Sequence, residues 1–569
     1  MKLFKPLGNL VFKSQVTAFW AFLIMLALPN AVMFFTEPQP VFTRICSIAL
    51  PASLYWWALT LPSKPGKAFW WLFLFIFFDA FEIVLLYLFG QSPIAVDMFL
   101  NVVTTNMTEI DELLGNLLTA IGIVVVVYVL GIVMAVASVC NKEKLSALFR
   151  ANQRKYATMA IVVSAAMTAA CFFVNPGFKI QDDIFPVNVC YNLGLAVDRS
   201  VRTADYASTS ANFTFHAKTT RPDSVPEIYV VVVGETARAD NFGLYGYSRN
   251  TTPLLAKTPR LVVYRDAITM SNTTHKSVPM LLSSIGSEPF DSIYYRKGII
   301  TAFNEAGYKT AFYSNQRRNG SFIDFFGCEA NEVKFIKDPL PISANVYDEQ
   351  LLKLVKARLD KYRGGKLMLV VHCYGSHFNY NDRYPANRAR FTPDRIPAAK
   401  AKYRAELINA YDNTIGYTDY VVSQIISMVN AKGVAAAVAY TSDHGEDIFD
   451  DSREKFLHAS PDPTYHQLRV PLLFWTSAQY AAQHPDKCRA LASHRLTPVS
   501  TNMILFHTML DLAGISTPYV QAQYAAGSGQ FKWHRRLYVN DHNEMHELND
   551  VGLRNIDVEQ FKAHGVQYP

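Results

Sequence analysis

Apolar residues are unevenly distributed along the chain. Five long apolar segments fall in the first third, at roughly 16–35, 45–61, 69–90, 117–140 and 156–174. Most reach the ~20 residues a helix needs to cross a bilayer core, so each predicts a spanning helix. The second is the shortest and carries Pro51. Lys2, Lys5 and Lys13 precede the first segment as they would a signal peptide. Four more segments follow and no small-residue cleavage site stands out, so it reads as an anchor. The stretch 176–225 is mixed, with Ser, Thr and Asn enriched, and predicts a linker with a short helix or two. From Glu227 short apolar runs alternate with longer amphipathic stretches, the pattern of an α/β domain with a largely parallel sheet. Candidate strands are 228–233, 310–314, 367–372, 435–441 and 470–476. The expected organisation is a five-helix membrane domain at 1–175, a linker at 176–225 and an α/β domain at 226–569.

Charge sets the orientation. Lysines and arginines cluster before the first segment, between the second and third, and between the fourth and fifth. Of the two remaining connections, one has only Arg44, at the edge of the second segment, and the other has none. By the positive-inside rule the basic set is cytoplasmic, which places residues after Val174 outside the cytoplasm. The net charge of +7 partly reflects this asymmetry. No base-reading motif accompanies it, so nucleic acid is not an expected partner. The seven cysteines are scattered with no CxxC pair, which argues against a thiolate metal site and leaves disulfide connectivity open.

The chemistry sits just beyond the strands, where doubly wound sheets bind ligands. The first candidate strand leads to Glu235 and the second to Asn315. The third ends at His372 and is followed by His377, and the fourth leads to Asp443 and His444. A lone Asp-His pair after a strand is usually a hydrogen-bonded turn. With Glu235 at a neighbouring tip, two carboxylates would sit close together, which calls for a cation; His and carboxylate suit zinc. The segment "ITMSNTTHKSVPMLLSSIG" (268–286) adds hydroxyls ahead of an apolar run. A Thr there is ordinarily an N-cap, but metal-bound it would become a nucleophile. "NVVTTNMTEI" places Asn101, Thr105 and Glu109 four residues apart, on one helical face. Asp79 and Glu82 lie inside the third apolar segment, where carboxylates are costly. The basic run 381–404 reads as solvated surface, or as an attractor of phosphorylated groups near the metal.

In order along the chain come "GETARADNFGLYGYSRNTTPLL", "TTHKSVPM", "HCYGSHFNYNDRYP", "YTSDHGED", "FLHA" and "RVPLLFW". Together, behind five spans, they resemble the membrane-bound phosphoethanolamine transferases. The resemblance covers nearly the whole chain. It implies a helical membrane domain plus an alkaline phosphatase-like (sulfatase-like) α/β domain with a mostly parallel central sheet. It further implies a zinc ion held by Glu235, Asp443 and His444 together with Thr274, the nucleophile five residues before Pro279; Thr273 is its neighbour. His377 and His458 match histidines that bind a second zinc or the phosphate and protonate the leaving group. His372 matches a further histidine near the site, with a buried structural role as the alternative. The Asn101–Thr105–Glu109 helix would hold the ethanolamine amine, and Asn315 with one of Arg317, Arg318 or Asn319 would face the phosphate. Phosphatidylethanolamine is the implied donor, and lipopolysaccharide or another envelope glycan the acceptor. The expected protein is a monomer in the bacterial inner membrane with its catalytic domain in the periplasm. One departure is that Met270 and Met280 stand where relatives carry cysteines flanking the nucleophile. The competing readings are a phosphoglycerol transferase of the lipoteichoic-acid-synthase type, a sulfatase or phosphatase, and a non-catalytic sensor. "SNTTHKSVP" lacks the Cys/Ser-x-Pro-x-Arg of sulfatases, and the sensor predicts missing ligands.

Overall fold

The structure, a computed structural model, describes all residues except 1–12, 38, 90–93, 105–120, 223, 343 and 569; the side chains of 87–89 and 101–104 are likewise not described. The described residues fall into two compact units, one ending at Arg199 and the other running from Ser200 onward.

The first unit is helical: α1 (Gln15–Thr36), α2 (Val41–Leu59), α3 (Pro65–Trp71), α4 (Phe73–Phe89), α5 (Val96–Thr104), α6 (Ile121–Cys140) and α7 (Ala147–Val174). Ser14 and Ser146 cap α1 and α7 by accepting from backbone N–H groups of their first turns. By length and composition, α1, α6 and α7 can each cross a membrane, and α3 with α4, bent by 72°, can form a fourth span. The second of the five expected spans, α2, falls short of that apolarity; Thr43, Arg44, Ser47 and Ser53 interrupt it. Phe19, Phe22, Phe69, Ile76 and Tyr128 form the unit's main core.

The second unit is built on seven strands: β1 (Glu227–Gly234), β2 (Leu261–Val263), β3 (Lys309–Ser314), β4 (Glu332–Phe335), β5 (Lys366–His372), β6 (Ala435–Ser442) and β7 (Leu472–Thr476). Their order is β2-β7-β6-β1-β5-β3-β4. The five strands from β6 to β4 pair in parallel; β7 runs antiparallel to β6, and β2 antiparallel to β7. Central β1 is buried along its whole length, which is why it reads as unbroken valine rather than as an alternation. Tyr229, Val231 and Val233 pack into one core and Ile228, Val230 and Val232 into the other, following the two-residue period of a strand. The first core includes Val278 and Leu281 of α8 (Thr274–Leu281); the second includes Leu407, Tyr411 and Ile415 of α9 (Arg404–Asn430). Val233 lies opposite both His372 and Thr441 in register, so the tips of β1, β5 and β6 end level.

Candidate active site

Glu235 follows directly from β1. The backbone turns at Thr236, whose φ is 60°, and not at Gly234. Gly234 is needed for clearance instead, because a Cβ there would lie 2.8 Å from the Tyr440 hydroxyl. Thr236 N donates to Asp443 Oδ1 at 3.0 Å and Ala237 N to Ser442 Oγ at 2.8 Å, which fixes the tips of β1 and β6 together. Gly375 has φ 52°, and a Cβ there would fall 2.7 Å from the Glu235 amide nitrogen. That residue therefore lets the loop after β5 pack against the Glu235 backbone.

The nucleophile segment is anchored from several sides. Thr273 is the N-cap of α8 and Thr274 its first residue. Ser277 Oγ donates to the Asp443 carbonyl at 2.6 Å, and Asn502 Nδ2 donates to Ser277 O at 2.9 Å. Ala459 N donates to Asn272 O at 3.2 Å, which joins this segment to the loop carrying His458. Met270 and Met280 are fully buried in the first core and hold the segment by packing, and Cys328, Cys373 and Cys488 are free thiols.

These elements converge on a cluster of acceptors. The Thr274 hydroxyl lies 3.2 Å from Glu235 Oε1 and 3.1 Å from His444 Nε2. His444 Nε2 is 3.5 Å from Glu235 Oε1 and 3.3 Å from Asp443 Oδ2. His444 Nδ1 faces the Gly445 carbonyl at 2.9 Å, so that nitrogen carries the proton and Nε2 is an acceptor. Among the described residues the fully buried Asp443 Oδ2 has no hydrogen-bond partner. Thr236 Oγ1 also donates to Glu235 Oε1 at 2.8 Å, yet the two carboxylates and the imidazole nitrogen remain short of donors. Burial, then the neighbouring Asp443 charge, raises the Glu235 pKa well above the ordinary carboxylate value; burial raises that of Asp443 to about 7. Burial also holds His444 and His377 well below normal imidazole values, and the His458 ring adds to this. A divalent cation satisfies such a donor set, and N/O ligands at this spacing suit zinc. Glu235, His444 and His458 bring ligand atoms within 4.8 Å of one another.

Two further histidines stand beside the cluster. His458 lies 4.2 Å from the His444 ring and 5.8 Å from that of His377. His458 Nδ1 meets Glu446 Oε2 at 3.3 Å and His377 Nδ1 meets Phe378 O at 2.6 Å, so both rings are fixed in the same tautomer as His444. His372 does not join them: it is buried against Ser314 Oγ at 3.1 Å, and burial lowers its pKa to about 4. Asn315 spends its amide nitrogen on Val346 O and Asp348 Oδ1 and braces the loop after β5. Arg317 and Arg318 bind the 337–341 loop, and Asn319 N donates to Asp324. Arg383, expected on a solvated run, is buried over the Tyr374 ring and donates to His377 O. Asn101 lies on α5; Thr105 and Glu109 lie outside the described residues.

Sequence reasoning passed over Gln316. Its Nε2 donates to Glu235 Oε2 at 3.0 Å and Cys373 O at 3.3 Å, which orients the carboxylate. The only signal was its place one residue beyond Asn315 at the tip of β3. Glu446 and Tyr380 were also missed; the Tyr380 hydroxyl donates to the Glu446 carboxylate, which in turn holds His458. Partners that orient a metal ligand typically contribute about 10–100-fold in affinity. Gln316→Ala is therefore expected to weaken zinc binding by that factor, measured by competition with a chelator, while Gln316→Glu, which adds a third carboxylate, fails to restore it.

The chain resembles several known proteins. The chain is 29% identical to phosphoethanolamine transferase EptC of Escherichia coli over 329 residues, 56% of each chain. It is 28% identical to the Kdo(2)-lipid A phosphoethanolamine 7''-transferase of Escherichia coli over 355 residues, 60% of this chain and 61% of the relative. The match thus spans a little over half the length of these curated relatives. Among solved structures, the C-terminal periplasmic domain of Escherichia coli EptC in complex with Zn aligns with a TM-score of 0.53 at 28% identity, covering 59% of this chain and 96% of that one. Full-length EptA of Neisseria meningitidis, an integral membrane protein, shares the fold over 90% of this chain and 98% of its own, with a TM-score of 0.71 at 21% identity. A family model described as Sulfatase matches residues 227–515, which hold the whole sheet and every member of the acceptor cluster. On that match the chain belongs to the sulfatase family, within the alkaline phosphatase/sulfatase superfamily.

Proposed function

We propose that the chain is a zinc-dependent phosphoethanolamine transferase of the bacterial inner membrane, with residues 226–569 as its periplasmic catalytic domain. The donor is phosphatidylethanolamine and the acceptor a lipid A or core sugar of lipopolysaccharide. The observation that supports this best is the Thr274 hydroxyl, shared between Glu235 Oε1 and His444 Nε2 beside a second buried carboxylate, Asp443. Glu235, Asp443 and His444 would hold zinc, which when bound supplies Lewis-acid stabilisation of charge on the phosphoryl group. Thr274 Oγ passes its proton to a neutral imidazole nitrogen of the His377–His458 pair and attacks the phosphorus of the donor phosphodiester. The bond to the diacylglycerol oxygen breaks, and that oxygen takes a proton from the His377–His458 side of the cluster. A hydroxyl or phosphate oxygen of the acceptor then attacks the phosphothreonine and frees Thr274. Likeness to relatives named for this transfer, one of them crystallised with Zn, supports the same reading.

The test uses the purified full chain, phosphatidylethanolamine labelled in its headgroup, and lipid A. The expected result is label on lipid A with one diacylglycerol released per transfer, lost on chelation and restored by zinc. Release of free phosphoethanolamine without transfer would assign a hydrolase. Activity only with phosphatidylglycerol and manganese would assign a phosphoglycerol transferase.

A further inference from the structure

Two carboxylates lie buried inside the helical unit, away from any role above. Asp79 and Glu82 sit three residues apart on one face of α4, and both are 0% exposed. Among the described residues neither oxygen of Asp79 has a hydrogen-bond partner, nor does Oε1 of Glu82; Glu82 Oε2 accepts from Ile94 N at 3.0 Å. Among the described residues neither carboxylate has a cationic partner. Two buried phenols complete the cluster. Tyr55 of α2 and Tyr128 of α6 both have hydroxyls without a hydrogen-bond partner, and both feel the charge of Asp79. Tyr128 is the buried residue of a π-helical turn, Val125–Val129, that interrupts α6. Such turns are rare and recur at functional sites. Glu37, just beyond the end of α1, adds negative charge within electrostatic reach of Glu82.

Unmet polar groups at this depth are costly, and the cluster has five oxygens in that state. Protonating one carboxyl supplies a single donor, fewer than the unmet oxygens of the cluster. A hard metal cation wants six or more oxygens and octahedral or larger shells. A quaternary ammonium has no N–H to offer and favours aromatic faces over carboxylates. A primary ammonium has three N–H donors, and three carboxylate oxygens stand unmet.

We propose that Asp79, Glu82, Tyr55 and Tyr128 bind the primary ammonium of an aminophospholipid headgroup within the helical unit. Asp79 and Glu82 lie on α4, half of the bent apolar pair, and Tyr128 lies on α6, which is apolar enough to span a membrane, where the abundant primary amine is a lipid. The assignment goes beyond the catalytic reading and stands whether or not Thr274 is the nucleophile.

The test is native mass spectrometry of the full chain carrying Thr274→Ala, so that turnover cannot consume lipid. It is titrated with phosphatidylethanolamine or with phosphatidylcholine of the same acyl chains. Loss of a charge-assisted hydrogen bond corresponds to about ten- to hundredfold in affinity. The expected result is phosphatidylethanolamine retained over phosphatidylcholine by that factor, with the bound count falling by one in Asp79→Asn/Glu82→Gln. Tyr128→Phe, a milder change, should weaken retention without altering the melting temperature. Free ethanolamine is the second arm: failure to displace the lipid at millimolar concentration assigns a lipid site, and full displacement assigns a site for the amine alone. An unchanged count in the double variant overturns the proposal. So does equal retention of the two lipids by the parent, a result that needs no second variant to fold. Loss of transfer with the lipid count intact would concern the catalytic reading only.

Discussion

Thr274→Ala is expected to lower phosphoethanolamine transfer by at least about a thousandfold, the scale seen when a nucleophile is removed. The hydroxyl lies between Glu235 Oε1 and His444 Nε2, and α8 holds it there by its first turn. Thr273, one residue earlier, points its hydroxyl at Ser271 Oγ at 3.0 Å and cannot substitute. Glu235, Asp443 and His444 are untouched by the change, so zinc content and melting temperature should stay close to the parent's. Thr274→Ser keeps an oxygen nucleophile and should retain measurable transfer. A Thr274→Ala protein with parental rates would remove the phosphothreonine from the mechanism.

Glu235→Ala is expected to cost more zinc affinity than any surrounding change, by more than about 100-fold, since it deletes a ligand and not a group that orients one. Metal analysis after dialysis should find zinc near zero in this variant and near one per chain in the parent. Transfer should fall with the metal and return only at high zinc concentration. Gln316→Ala lies between the two, because it leaves the Glu235 carboxylate in place but loosely held. If Glu235→Ala kept its zinc, the cluster of Asp443, His444 and His458 would have to be the true ligand set.

What the sequence could and could not disclose follows from how local each feature is. Strands β1, β5 and β6 were legible because fully buried parallel strands are written as continuous apolar runs. Their tips gave Glu235, His377, Asp443 and His444 directly. Strands β2 and β4 were missed: three and four residues long and only partly buried, they sit at the sheet's two edges. Gln316 and Glu446 act through contacts 81 and 12 residues away, which no local pattern announces. The need for Gly234 is also tertiary: a Cβ there would meet the Tyr440 ring of the neighbouring strand. Arg383 looked like solvated charge because seven basic residues crowd 381–404, and its burial over Tyr374 is a tertiary fact. Asp79 and Glu82 were visible as misplaced charge, but Tyr55 and Tyr128 reach them from other helices.

The place of β1 at the centre of the sheet governs the order of events during biogenesis. Its two neighbours, β5 and β6, arrive more than a hundred residues later in the chain. As the polypeptide emerges, the Val230–Val233 run must remain unpaired on both edges until each partner is made. Long-range parallel pairing is slow, and an unpaired valine strand is a template for aggregation. The early-made segment is thus the one most in need of shielding. Defects that delay β5 or β6 should surface as insoluble protein before they surface as lost activity.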